Sequence, residues 1–264
     1  MAAKDRIALI TELAQKNKRV FVSELSELCQ VTEETIRQDL KKLEKAGFLS
    51  RVHGGAIIND PYTSDTNDKR SEANGNIGIH FLCRRDVNRE QKQIIAEHVV
   101  PLIRNNNALF VDSSTTAAEA IRALPENMDI TIVTNSTYIF SECATKTYNI
   151  ISTGGEFNPK YLSLQGTVAK ECISKYNVDV ALISCRALDM EYGVQDSNEG
   201  DAEIKKQIIP RSKKVILLAD HTKFGRTAFV KLMDLDEVDY LITDRDPGTA
   251  WKQFCDEHNI QLIY

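Results

Sequence analysis

Seven short runs of apolar, β-branched residues recur from residue 108 to residue 264: ALFVD (108–112), ITIVT (130–134), YNIIS (148–152), VDVALIS (178–184), KVILLAD (214–220), DYLIT (239–243) and IQLIY (260–264). Amphipathic stretches separate most of them, at about 90–104, 116–124, 136–146, 165–176, 199–211 and 249–258. Strands this uniformly apolar have no wet face. They predict a mostly parallel sheet covered by helices on both sides, an α/β domain spanning 80–264. Function must then come from the loops at the strand ends.

The chain ahead of this domain is different. Residues 59–79, NDPYTSDTNDKRSEANGNIGI, are polar and poor in aromatics, the composition of a linker. Residues 1–58 form a separate small domain of short helical patterns and basic residues. Of the net charge of −5, almost none falls there: residues 1–60 hold 10 Lys and Arg against 9 Asp and Glu, the remainder 23 against 29. A generally basic nucleic-acid coat is therefore excluded. The six cysteines, Cys29, Cys83, Cys143, Cys172, Cys185 and Cys255, show no CxxC pair and no regular spacing, the pattern of reduced thiols in a cytoplasmic protein. No apolar run reaches the roughly 18 residues a membrane helix needs. HExxH and HxxxH patterns, a P-loop and GxGxxG are absent, so neither metal nor cofactor is expected.

In the first domain Ile7, Ile10, Leu13 and Ala14 predict a helix with one buried face. Arg19–Val22 reads as a short strand, and Ser23 as the N-cap of a second helix carrying Leu25 and Leu28. Thr32 caps a third, with Glu33 and Glu34 in its first turn, where negative charge suits the helix dipole. Ile36, Leu40 and Leu43 face the core; Arg37, Gln38, Lys41 and Lys45 face outward; Gly47 stops the helix. Phe48–Ile58 then reads strand, Gly-Gly turn, strand. Two short helices, a turn, a basic helix and a glycine wing make a winged helix-turn-helix, whose third helix enters the major groove of double-stranded DNA. The expected DNA-contacting residues are Thr32, Thr35, Arg37, Gln38, Lys41, Lys42, Arg51, His53, Gly54 and Gly55. A solvated charged face would account for Arg37 or Lys41 alone, but not for the whole ordered set.

Ligands of open α/β sheets bind outside the carboxyl ends of the strands. Polar or glycine residues sit at those ends here: Asp112, Ser113, Ser114, Thr115 and Thr116; Thr134, Asn135 and Ser136; Gly154 and Gly155; and Asp220 and Lys223. Hydroxyls and free N–H groups at a helix start bind anions, although DSSTT also reads as plain capping and Gly-Gly as a turn. Together they predict a site for a small polyol phosphate. The helix start and Lys223 would hold the phosphate, while Asp112 and Asp220 would bond hydroxyls. Arg186 has two readings, a phosphate partner or the mate of a surface carboxylate.

The sequence resembles the DeoR family of bacterial transcription regulators, through VTEETIRQDLKKLEKAGFLSRVHGGA (31–56), VDSSTTAAEAIRAL (111–124), IVTNS (132–136), STGGEF (152–157), SLQG (163–166) and LLADHTKFGRTAF (217–229). The resemblance implies a sugar-phosphate-sensing C-terminal domain similar to the ribose-phosphate isomerase and CoA-transferase fold group, binding without turnover. It also implies operator binding as a homo-oligomer, dimer or tetramer, and control of a carbohydrate-catabolism operon. Ser184–Asp189 departs from the family's glycine-rich stretch and, with Asp196–Ser197–Asn198, looks nearest to fucose-operon regulators. Asn198, Glu199, Glu203 and Lys206 match a family helix but read equally as a solvated helix start. The competing class is an isomerase-type enzyme with a DNA-binding appendage, using Asp112, Asp189 and Lys223; the resemblance favours the regulator, not an enzyme.

Overall fold

The computed structural model describes residues 3–17, 19–46, 48–52, 54–58 and 79–264. His53, Gly47 and nearly all of the predicted linker lie outside the described residues. The chain divides into two compact units, Met1–Val87 and Asn88–Tyr264.

The first unit runs α1 (Ala3–Asn17), β1 (Arg19–Phe21), α2 (Val22–Cys29), α3 (Glu33–Lys45), β2 (Leu49–Val52), β3 (Gly55–Ile58) and α4 (Ile79–Asp86). Its three-stranded sheet has β3 in the middle, antiparallel to β1 and to β2. Ile10, Leu25, Ile36, Leu40, Leu43 and Leu49 are fully buried in its core. Thr32 caps α3, its hydroxyl accepting from Thr35 N at 3.3 Å. The expected cap at Ser23 is corrected: α2 begins two residues earlier than that cap implies, with Phe21 at the N-cap and no side-chain cap. The reason is that Val22 N already donates to Gly54 O at 2.9 Å, so the wing turn satisfies the helix start. Gly55 is glycine for packing: a Cβ there would lie 2.1 Å from Val20 O, and β1 could not pair with β3. Residues 80–87, grouped with the second domain from sequence, pack with the first unit. Cys83 of α4 is buried in the core with Ile10 and Leu25, and burial pushes its thiol up to about 12.

The second unit contains α5 (Arg89–Val99), β4 (Ala108–Val111), α6 (Thr115–Ala123), β5 (Thr131–Thr134), α7 (Thr137–Glu142), β6 (Asn149–Ser152), β7 (Glu156–Asn158), β8 (Ser163–Gln165) and α8 (Gly166–Ile173). It continues with β9 (Val178–Ser184), β10 (Ala187–Asp189), β11 (Gly193–Asp196), α9 (Glu199–Ile208), β12 (Ser212–Leu218), β13 (Val230–Met233), β14 (Tyr240–Ile242), α10 (Thr249–Glu257) and β15 (Gln261–Ile263). All seven expected strands pair, every one parallel to its neighbours, in the order β15-β14-β12-β9-β4-β5-β6. Phe110, Ala181, Ile183 and Leu217 point to the face covered by α8, α9 and α10, where they meet Ala169, Ile204, Ile208 and Trp251. On this sheet β4 is followed by β5 and β6 on one side, whereas β9, β12, β14 and β15 lie on the other. Strand order therefore reverses between β4 and β9, the crevice where such sheets take ligands. Two small antiparallel sheets, β10-β11-β13 and β7-β8, carry the loops around that end.

Candidate functional site

The crevice is floored by a buried ion cluster. Asp112, just past β4, accepts from Ser114 N at 3.0 Å through one oxygen and from Ser184 N at 2.9 Å through the other. Lys205 reaches in from α9. Its ammonium lies 2.8 Å from Asp112 and 2.8 Å from Asp196, and it donates to Ser184 O at 2.7 Å. Three N–H groups thus meet three acceptors, with the side chain only 6% exposed. Burial alone would push the Lys205 pKa down; the Asp112 and Asp196 carboxylates outweigh it and hold it above the ordinary lysine value. Asp112, expected to bond ligand hydroxyls, has both oxygens engaged within the protein.

One turn earlier on α9, Asp201 is buried beside the end of β5. It accepts from Asn135 Nδ2 at 3.2 Å and from Asn198 Nδ2 at 2.9 Å. Burial, reinforced by Asp196, raises its carboxyl above the usual range despite the Asn198 hydrogen bond. Asp201 and Lys205, at i and i+4, therefore pin α9 over the ends of β5, β4 and β9. Thr134 is buried, donating to Val111 O at 2.6 Å and accepting from Ser136 N at 3.0 Å. Asn135 Oδ1 and Ser136 Oγ are also buried, and neither finds a hydrogen-bond partner among the described residues.

The remaining expected effector residues fall into three places. Ser113, Thr115 and Thr116 are buried around the start of α6, and Ser114 Oγ caps that helix by accepting from Ala117 N at 3.0 Å. For Ser114 the capping reading holds. Gly154 and Gly155 follow β6, and a Cβ on Gly155 would lie 2.4 Å from Gln165 O, so close packing dictates this glycine. Arg186 is half-buried at the start of the β10-β11 hairpin, its N–H donating to Gln195 O at 2.8 Å. Asp220 is buried after β12 and accepts from Thr222 N at 3.0 Å, from the Thr222 hydroxyl and from Asn88 Nδ2 at 3.3 Å. Burial opposes its ionisation, but Lys223, Thr222 and Lys92 together hold its pKa below the usual carboxylate range. Lys223, half-buried, thus has Asp220, three residues before it, as a carboxylate neighbour.

Of the residues expected at the DNA, α3 carries Thr35, Arg37, Gln38, Lys41 and Lys42, with Thr32 at its N-cap; Arg51 lies on β2, Gly54 is exposed, and Gly55, at the start of β3, is buried. Arg37, Gln38 and Lys41 are exposed, as anticipated, and Thr35 and Lys42 are half-buried. Arg37 pairs with Glu33 at 2.5 Å, Gln38 donates to Glu34 at 2.9 Å, and Arg51 pairs with Glu44 at 2.6 Å. Asp39, buried on α3, binds Arg6 of α1 at 2.5 Å and lies 3.5 Å from Lys42.

Comparison with known proteins decides the family. Residues 6–62 match the DeoR-like helix-turn-helix domain, and residues 87–245 the DeoR C terminal sensor domain. The HTH-type transcriptional regulator YulB of Bacillus subtilis is 38% identical over 95% of this chain and 93% of its own. The chain belongs to the DeoR family. Other relatives of this DeoR-family protein include the L-fucose operon activator of Haemophilus influenzae, 29% identical over 98% of each chain. The glycerol-3-phosphate regulon repressor of Escherichia coli is 30% identical over 96% of this chain and 95% of its own. Among solved structures, a D-ribose-5-phosphate isomerase in complex with phospho-erythronic acid is similar at 17% identity, over 52% of this chain and 54% of that one, with a TM-score of 0.38.

Sequence reading missed several residues of this DeoR-family sensor domain. On α9 it singled out Lys206, whereas the buried lysine is its neighbour; Lys206 lies on the surface, 3.5 Å from Glu203. The usable signal was periodicity: Asp201, Lys205 and Ile208 share one helical face with Ala202 and Ile204, and charges on an apolar face must be paired. Lys92 of α5 carries the same signal, sharing its face with Ile95, Ala96 and Val99, whereas Asp196, equally buried, lies in a short strand with no such contrast.

Proposed function

We propose that this DeoR-family regulator binds a double-stranded operator through α3 and its wing, as a homo-oligomer, and that a sugar phosphate in the β4/β9 crevice modulates that binding. The observation that carries the effector reading is the pair of buried, unpartnered oxygens at the end of β5, Asn135 Oδ1 and Ser136 Oγ. A buried polar atom left unsatisfied costs about 1–3 kcal/mol, and a polyol hydroxyl seated there would satisfy both. The start of α6, Arg186 and Lys223 supply positive charge for the phosphate. Binding without turnover fits the same geometry: Asp112 is locked to Lys205, and Asp189 is spent on the turn it closes, accepting from Glu191 N and Tyr192 N. Relatives named for fucose and for glycerol 3-phosphate match at 29% and 30%, so identity alone does not choose the effector.

The test is a titration of sugar phosphates against the operator complex. Lys223→Ala is expected to keep its fold, by circular dichroism, and its operator affinity, yet to need far more effector for the same response. Thr115→Ala should behave alike, and Asp220→Asn should change which polyol is preferred. A ligand shifts an equilibrium only by its differential affinity for the two states, so these variants should be locked rather than inactive. A wild-type response from Lys223→Ala would refute the site.

For the DNA face, Arg37→Ala should cost roughly 1–3 kcal/mol of specific binding, as loss of a base contact does. Lys41→Ala should weaken binding to all sequences and flatten the salt dependence by about one unit, as loss of a phosphate contact does. Gel shifts across a salt series separate the two; unchanged binding by the double variant would remove α3 from the interface.

A further inference from the structure

Arg37, Arg51 and Lys42, on the DNA-facing surface of the first unit, are already occupied by the protein's own carboxylates. Arg37 Nη2 lies 2.5 Å from Glu33 and Nη1 lies 3.8 Å from Glu34, all three side chains about half-exposed or more. Arg51 gives Nε to Glu44 at 2.6 Å, and its backbone N–H donates to the other oxygen of the same carboxylate at 3.1 Å. Lys42 lies 3.5 Å from Asp39. A guanidinium held this way presents little net charge to an approaching phosphate. The carboxylate must also swing aside or be left beside the DNA backbone, where like charges repel.

We propose that Glu33 and Glu44 are intramolecular stand-ins for DNA phosphates. They hold Arg37 and Arg51 in the free protein and suppress binding to duplexes that offer only backbone. A matched operator displaces them because base contacts add to the phosphate contacts; an unmatched duplex gains only the phosphate contacts, which the glutamates already replace. The glutamates thereby raise the ratio of specific to non-specific affinity by lowering the second quantity. This inference rests on the DNA-binding reading of α3 given above.

A purely structural role for Glu33 and a direct base-reading role lead to different results. Glu33 pairs with Arg37 at i,i+4 and sits in the first turn of α3, so a structural role would show in stability and leave the salt dependence of binding alone. Direct reading of a cytosine amine by Glu33 would make its removal weaken operator binding.

The experiment measures full-length protein against a mixed-sequence duplex of about 24 base pairs, by fluorescence anisotropy over a salt series, a length that accommodates a two-half-site protein. On this duplex Arg37 has no matched base to read, so a freed guanidinium falls to a backbone phosphate; Glu33→Gln is therefore expected to tighten binding roughly three- to tenfold and to steepen the log–log salt slope by about 0.9, the signature of one more phosphate contact. Glu44→Gln should do the same through Arg51, with thermal melting confirming that the wing is intact. In an Arg37→Ala background Glu33→Gln should have no further effect, because the cation it releases is gone. Unchanged or weakened binding by Glu33→Gln, or a full effect in the Arg37→Ala background, overturns the proposal while leaving DNA binding by α3 in place. A wild type that binds no duplex at low salt overturns the DNA reading, and this proposal with it.

Discussion

Lys205→Met is expected to destabilise the C-terminal unit by about 3–5 kcal/mol, the usual consequence of removing one partner from a buried ion cluster. The substitution nearly conserves volume, so the loss comes from charge. Asp112 and Asp196 would remain at the floor of the crevice without the ammonium that now touches both at 2.8 Å, and Ser184 O would lose its donor. Adding Asp112→Asn and Asp196→Asn should recover most of the loss, because amides tolerate burial where carboxylates do not. Urea unfolding followed by circular dichroism reads both variants; a loss under about 1 kcal/mol in Lys205→Met would mean the cluster is hydrated and contributes as surface pairs do. The pH dependence has a definite sign. The folded protein holds the Lys205 proton more tightly than the unfolded chain does, so the contribution is complete below the ordinary lysine value of 10.5 and declines as pH rises beyond it.

The same cluster marks where sequence reading reached and where it stopped. The strands were legible because each is a run of β-branched residues with no polar interruption. VDVALIS, for instance, reappears as β9 with unchanged bounds, since only a fully covered parallel strand tolerates that composition. Strands β7, β8, β10 and β11 were not legible: they are three or four residues long, their pairing is set by turns, and EFN, SLQ, ALD and GVQD carry no alternation to read. Polar residues at the strand ends could be named from position, because the ligand crevice of an open sheet follows from topology. What each side chain does there could not. Asp112 and Asp220 look alike in sequence, yet one is locked by Lys205 and the other shares its surroundings with Lys92 and Lys223, and those partners come from 93 and 128 residues away in the chain for Asp112–Lys205 and Asp220–Lys92 respectively. Ion pairs of that sequence separation leave no local trace except a charge on an apolar helix face. Lys92 on α5 and Asp39 on α3 are further examples of that signal.

Arg6→Met is expected to destabilise the N-terminal unit by about 3 kcal/mol, at the low end for a broken buried pair. Asp39 lies on the inward side of α3, 1% exposed, among Ile36, Leu40 and Leu43, and Arg6 of α1 is its close partner at 2.5 Å. Lys42 stays 3.5 Å away and 44% exposed, so it can compensate part of the stranded charge through water-screened attraction, which moderates the loss. The pair also fixes how α3 is presented. A helix held only by apolar contacts can slide or rotate by small amounts at low cost, whereas a buried charge pair permits one register. Arg6→Met should therefore reduce specific DNA binding by more than its effect on the folded fraction explains. Arg6→Met with Asp39→Leu removes both charges and should restore stability to near wild type. If the pair serves only to neutralise Asp39, the double variant regains full operator affinity as well. If it sets the register of α3, stability returns while specific affinity stays low and affinity for a mixed-sequence duplex is unchanged. Full recovery of both quantities in the double variant would defeat the register argument.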